Sequence, residues 1–381
     1  MVNTEQSTDG DGDRMELSEP APQQVKVSYS YSTNLPALLE ALQLGLVATA
    51  PGINQLITVG VEDGELKLGF SPLDQPFGIT RTKSGCAVST ADRVWSYRGH
   101  EVLSSTDETN QGEVGALVAR HCWLTGPLRT TGMVECGGAL LCASALFNCV
   151  AAVSENYSFE PRWKPPFVEK IEPLQICGIS GLATDGIGAT LAFVSMWAHG
   201  EKGDGNQEGG EGCILDARSN RIVSRGLTMP VSPRVHRGQL LWLEHAGGTV
   251  MAIPLKDGKD EAVGAEGSDQ TIAKLDGFPG GLDCWGNWAA VGVSSRRWDV
   301  IEGNPSPTVS DQAADGWNTP KRQTGFELIH IANQDRVAWL HFSEGVDQIG
   351  GLVLTPGWGN PKVLGPGDRN SRGQPWVIPQ A

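Results

Sequence analysis

Short runs in which apolar and polar residues alternate recur along the whole chain. Leu56-Ile57-Thr58-Val59, Leu66-Lys67-Leu68-Gly69-Phe70, Arg93-Val94-Trp95-Ser96-Tyr97, Leu191-Ala192-Phe193-Val194, Gln239-Leu240-Leu241-Trp242-Leu243, Ala289-Ala290-Val291-Gly292-Val293 and Phe326-Glu327-Leu328-Ile329-His330-Ile331 are the clearest. Each is bounded by Gly, Pro, Asp or Asn turns, as at Glu62-Asp63-Gly64 and Lys256-Asp257-Gly258. Such a pattern predicts strands joined by hairpins. Only Leu35 to Leu46 spaces its apolar residues as a helix would. Serial hairpins with no helices between them make this an all-β protein.

So many strands must hide their edges, in a sandwich, a barrel or radial blades. Similar phrases recur, read as a glycine-led strand, a turn with a charged tip and a strand ending in an aromatic: GGALLCASALFNCV, GGTVMAIPLKDGK and FELIHIANQDRVAWLHF. With residues 30–370 folded and roughly 45–55 residues per blade, the expectation is a single six-bladed β-propeller over residues 26–381, with seven blades as the neighbouring solution and one short N-terminal helix.

Composition agrees with a turn-rich globular fold, since 49 Gly and 23 Pro are scattered among apolar runs. The formal charge of −15 (29 basic against 44 acidic residues) repels phosphate backbones and anionic lipid, so neither nucleic acid nor membrane is an expected partner. Residues 1–25 are acidic, have no apolar stretch resembling a signal peptide, and read as a disordered tail of a cytoplasmic protein. The eight cysteines form no C-x-x-C pair and read as small buried hydrophobes in a reducing compartment. Stretches 200–212, 256–270 and 302–323 are acidic or rich in Pro, Ser and Asn, and read as long loops.

Two segments carry candidate chemistry. Tyr157 to Phe167 holds three prolines, which exclude a helix or central strand, and so presents Arg162 and Trp163 from a rigid connection. A guanidinium beside aromatics suits an anionic or planar ligand, although it serves equally well to tie down carbonyls and cap the core. Gly226 to Arg234 is a second proline-stiffened turn presenting Ser232 and Arg234, and His236 points to the same side as Arg234 on an extended strand. Arg297 and Asn148 complete the candidate ligand set. No G-x-S-x-G elbow, phosphate loop or dinucleotide glycine pattern occurs, so no nucleotide cofactor is expected. The seven histidines have no metal-ligand spacing and no metal is expected; a channel cation would have to draw on Asn148, Asp283 and Asn287.

The stretches Asn34 to Leu39, Leu66 to Ile79 and Leu352 to Gly357, with Phe147-Asn148-Cys149, Tyr157 to Phe167, Gly181-Leu182-Ala183 and Gly226 to Pro230, resemble an uncharacterised bacterial family of conserved hypothetical proteins with a domain of unknown function. The resemblance covers most of the chain and implies a propeller. It also implies three channel-lining histidines, and here it breaks. The corresponding positions read Thr131-Gly132, Gly178-Ile179-Ser180-Gly181 and Pro230-Val231-Ser232-Pro233-Arg234, and the Arg implied before Gly281 is Gly280, while Arg234 and Arg297 match. Imidazole is the side chain best poised for proton transfer near neutral pH. Its loss leaves a less basic, more apolar lining and, on this reading, an enlarged cavity.

Two functions stay open. One is a non-catalytic propeller that binds a small molecule or a protein, with twelve Trp to supply rigid contact surface. The other is a channel-site lyase, isomerase, cyclase or hydrolase acting on a small anionic metabolite. There Arg162, Arg234 and Arg297 would hold the anion, and Cys177 or His236 would move protons. A ligand-free scaffold is the remaining alternative.

Overall fold

The structure is a computed structural model, and it describes residues 26–102, 114–185, 188–197, 212–255, 269–298 and 322–365. These residues form six sheets arranged as the blades of a propeller. The innermost strands are Ile79–Thr82 in blade 1, Thr130–Cys136 in blade 2, Ile179–Thr184 in blade 3, Pro230–His236 in blade 4, Phe278–Trp285 in blade 5 and Gly351–Pro356 in blade 6. Each packs against the innermost strands of its two neighbours, which closes the ring. Six buried apolar layers separate the blades, one in each interface. The tail and the three long stretches at 200–212, 256–270 and 302–323 lie outside the described residues, apart from one or two residues at their ends.

Blade 6 is shared between the two ends of the chain. Its inner strand is C-terminal and pairs with Leu44–Ala50 from the N-terminal part, in register from Leu44 opposite Pro356 to Thr49 opposite Gly351. Two extensions brace this closure. Ser28–Tyr31 adds an edge strand to blade 5, and Lys362–Leu364 adds a parallel one to blade 1. Each chain end thus laces the closing blade to one of its neighbours.

The helix expected over Leu35–Leu46 stops at Leu42, because Gln43 takes a left-handed φ of 50° and caps Glu40 and Leu39. Leu44–Ala50, with the sequence LGLVATA, is buried at every position and is the second strand of blade 6. A strand covered on both faces reads as a continuous apolar run, which helical spacing can imitate over a few residues. Part of the proline-rich segment is also a strand: Glu160–Trp163 is the outer edge of blade 2, where Pro161 needs no ladder partner on its open side.

The three repeated phrases are not equivalent. The first starts at the hairpin between first and second strands of its blade, the next between second and third, and the last spans third and fourth. The repeat that holds in three dimensions is a buried polar side chain at or beside the end of each second strand: Thr49, Ser89, Ser144, Ser195, His245 and Ser294. Among the described residues no helix is long and apolar enough to cross a membrane.

Candidate functional site at the propeller hub

The inner strands meet at small residues. A Cβ added to Gly132 would lie 2.9 Å from Gly181 Cα, one on Gly181 would lie 2.4 Å from Pro233 Cδ, and one on Gly281 would lie 2.5 Å from the Leu352 nitrogen. Only glycine lets the backbones approach this closely. The closeness brings hydroxyls into range of the next blade's carbonyls. Ser89 Oγ donates to Thr130 O (3.4 Å), Thr131 Oγ1 to Ser180 O (3.1 Å) and Ser180 Oγ to Pro230 O (2.6 Å). Ser232 Oγ donates to Gly280 O (2.7 Å), Ser294 Oγ to Ile349 O (3.3 Å) and Thr49 Oγ1 to Phe77 O (2.5 Å). Together they staple every blade to the next around the full circle. Ser232 is therefore a structural staple and not a free ligand group.

Ile79, Met133, Leu182, Arg234, Leu282 and Leu352 line the channel, one from each blade, around a free volume of about 10 Å³, room for about one water. The cavity is not enlarged at the positions where the resemblance implies larger side chains. A Cβ on Gly178 would strike the Trp197 ring at 2.4 Å, and one on Gly280 would strike the Trp298 ring at 2.6 Å. Two indoles fill the space. Trp298 also packs edge-on against Phe77, with centroids 4.8 Å apart, and its backbone N–H donates to Nε2 of buried His245 (2.9 Å). His245 Nδ1 faces Pro279 O at 2.9 Å. Burial, helped by the Arg297 and Arg322 charges and opposed by the Pro279 carbonyl, pushes the imidazole down to about 3.

Arg234 is the one charged member of the lining. Its Nη1 donates to the carbonyls of Pro233 (2.8 Å) and Leu182 (3.4 Å), and its other two nitrogens have no acceptor among the described residues. Burial lowers its pKa, and nearby Asp283 offsets part of that fall. The Asp283 carboxylate is already committed: Oδ2 accepts from Leu354 N (2.9 Å), and Oδ1 from Cys284 N (3.0 Å) and Arg81 Nη2 (3.5 Å). Arg81 lies over Trp285, 5.6 Å from the ring centroid. These four residues sit toward the C-terminal ends of the inner strands of blades 1, 4 and 5, so they gather at one mouth of the channel, here called the lower mouth. Arg81 and Trp285 escaped the reading of the sequence, and Asp283 entered it only as a cation ligand. The signal was present in the inner-strand phrases Gly78-Ile79-Thr80-Arg81 and Gly281-Leu282-Asp283, each a small residue at the hub followed two or three positions on by a charge.

The other expected site residues do not join this group. Arg162 and Trp163 lie on the outermost strand of blade 2, where Arg162 pairs with Glu160 (3.0 Å) and Trp163 Nε1 donates to Asn220 (3.2 Å). Proline rigidity places a side chain firmly but does not say at which radius. Arg297 is exposed beyond the N-terminal ends of the inner strands, the upper mouth, with Nη2 3.1 Å from Met229 Sδ. Asn148 is buried, takes a φ of 51° and accepts from the N–H groups of Ile176 (2.8 Å) and Cys177 (3.0 Å), pinning the connection into blade 3. Cys177, beside it, is buried with its thiol pushed up to about 12. His236 is at the lower end, its Nε2 on Gly286 O (2.8 Å). Cys177 and His236 therefore serve opposite ends of the channel and cannot act on one substrate. Asn148, Asp283 and Asn287 are each committed elsewhere, Asn148 to the N–H groups of Ile176 and Cys177, Asp283 to those of Leu354 and Cys284, and Asn287 to Arg237 (2.5 Å); among the described residues no group of three or more His, Cys, Asp or Glu could hold a metal.

Solved propeller structures align with the chain at low identity. A nidogen/laminin complex matches at 9% identity over 82% of this chain and 99% of that one, with a TM-score of 0.44. A virginiamycin B lyase from Staphylococcus aureus matches at 11% identity over 84% and 99%, TM-score 0.37, and a streptogramin B lyase at 14% over 64% and 70%, TM-score 0.34. None of the curated proteins matches the chain. Residues 33–364 match the family model described as a domain of unknown function, DUF4915, so nearly the whole propeller, hub and lower mouth included, belongs to that family.

Proposed function

We propose that this propeller binds a small anionic ligand at the lower mouth of its channel and does not turn it over. The observation that carries this reading is Arg234, a half-buried guanidinium whose protein partners are two main-chain carbonyls on one nitrogen. A cation so placed keeps donors for a carboxylate or phosphate, and charge-assisted bonds are the strong ones. Arg81 adds a second guanidinium, already oriented by Asp283. Catalysis within the channel has less support. The free volume is about that of one water, and the nearest thiol, Cys284, is pushed up to about 12 chiefly by burial, then by Asp283. A group held that far from neutrality is a poor proton carrier.

Calorimetric titration of the full chain with inorganic phosphate, succinate, citrate and benzoate tests the proposal. At least one should bind saturably with unit stoichiometry and be recovered unchanged, and Arg234→Ala should weaken it by about tenfold or more. Absence of binding by all four, or equal binding by Arg234→Ala, overturns it.

A further inference from the structure

Trp285 is the only exposed indole among the ten Trp of the described residues. Its side chain stands 45% exposed at the mouth of the channel, with a face open to a ligand. It is also held in place. The turn after it is tied to the hairpin of blade 4 at two points: His236 Nε2 on Gly286 O (2.8 Å) and Arg237 Nη1 on Asn287 Oδ1 (2.5 Å). Both bonds come from the residues that closely follow Arg234 along blade 4, so the indole and the half-buried guanidinium are positioned by one piece of chain. Arg81 lies over the ring and reaches Asp283, whose charge is also felt by Arg234 on the neighbouring inner strand.

From this juxtaposition we infer that the ligand of the lower mouth is a planar aromatic carboxylate, its acid group on Arg81 and Arg234 and its ring against Trp285. The inference rests on the reading that the lower mouth binds an anion, and it adds what the non-acid part must be. A guanidinium pair alone would take any small anion. A clamped, exposed indole beside it contributes only where the ligand offers a flat π-face, because offset stacking adds attraction beyond area burial. His236 and Arg237 are then positioning residues for the platform and do not themselves meet the ligand.

The test compares 2-naphthoate with its saturated counterpart, decahydro-2-naphthoate, and with acetate, by calorimetry on the full chain. Naphthoate should bind about three- to tenfold more tightly than the saturated acid. Trp285→Ala should erase that ratio while Trp285→Phe keeps most of it, and circular dichroism should report an unchanged fold, since the side chain is exposed. Equal affinity for the two bicyclic acids, or a ratio that survives Trp285→Ala, overturns the aromatic inference. If both acids still bind and both are weakened by Arg234→Ala, the anion site itself stands. If neither binds while one of the smaller anions still does, the aromatic inference falls and the anion site stands; if none of them binds, both fall.

Discussion

Substituting Gly281 by Ala puts one methyl group between blades 5 and 6. The new Cβ would lie 2.5 Å from Leu352 N and 2.8 Å from both Gly351 C and Gly351 Cα, all backbone atoms of the neighbouring inner strand. Ordinary contact begins at 3.4 Å, so the strands must separate by about 3.4 − 2.5 = 0.9 Å. No side chain can rotate away to absorb this, and overpacking of a rigid interface costs about 1–3 kcal/mol, with the upper end expected here. The shift falls two residues from Asp283, whose Oδ2 accepts from Leu354 N across the same interface. Gly281→Ala should therefore lower the unfolding free energy by about 3 kcal/mol, read as a lower urea midpoint at unchanged m, and also loosen the Arg81–Asp283 pair that shapes the lower mouth. Gly359→Ala, which meets nothing within 4 Å, is the control and should stay within about 0.5 kcal/mol of the parent. Equal midpoints for Gly281→Ala and Gly359→Ala would refute the close-packed hub.

Thr131→Val keeps the shape of a buried side chain and removes only the hydroxyl that staples blade 2 to Ser180 O and Ile179 O; chemical denaturation should show a loss of about 1 kcal/mol, and no loss would deny the staple an energetic role. His245 gives a pH dependence. Its folded-state value is about 3 against an ordinary 6.5, so between those values the unfolded chain binds the extra proton and stability falls on acidification. The decline from this group should be about 2 kcal/mol between pH 7 and pH 5. His245→Asn should flatten the stability–pH curve by that amount, and an identical curve would mean that the ring takes up its proton equally in the folded and unfolded chain, so that burial does not shift it.

The lower mouth was only partly legible in the sequence. Arg234 and His236 stand out because a proline-stiffened turn presents them, and they do reach the lower mouth. Arg162 stands in an equally stiff segment and lies on the outer edge, for stiffness is local and radius is not. Asn148 and Ser232 resemble ligand groups because polar residues amid apolar runs need partners; their partners are backbone atoms of the next connection or blade.

Strand-forming runs and the turns between them are written locally, in alternation and in Gly, Asp and Asn punctuation, and their mean spacing was enough for an all-β propeller of six blades. Local pattern could not say where the helix beginning at Leu35 yields to the strand beginning at Leu44, because a strand sandwiched between two others has apolar residues on both faces. Nor could it bring Arg81, Arg234, Asp283 and Trp285 together. These come from three blades, and their meeting depends on ring closure, on glycines thin enough to let the strands touch, and on two indoles that occupy the upper space. Contacts between residues up to about two hundred positions apart arise from how the sheets pack, a property of the assembled ring and of no single segment.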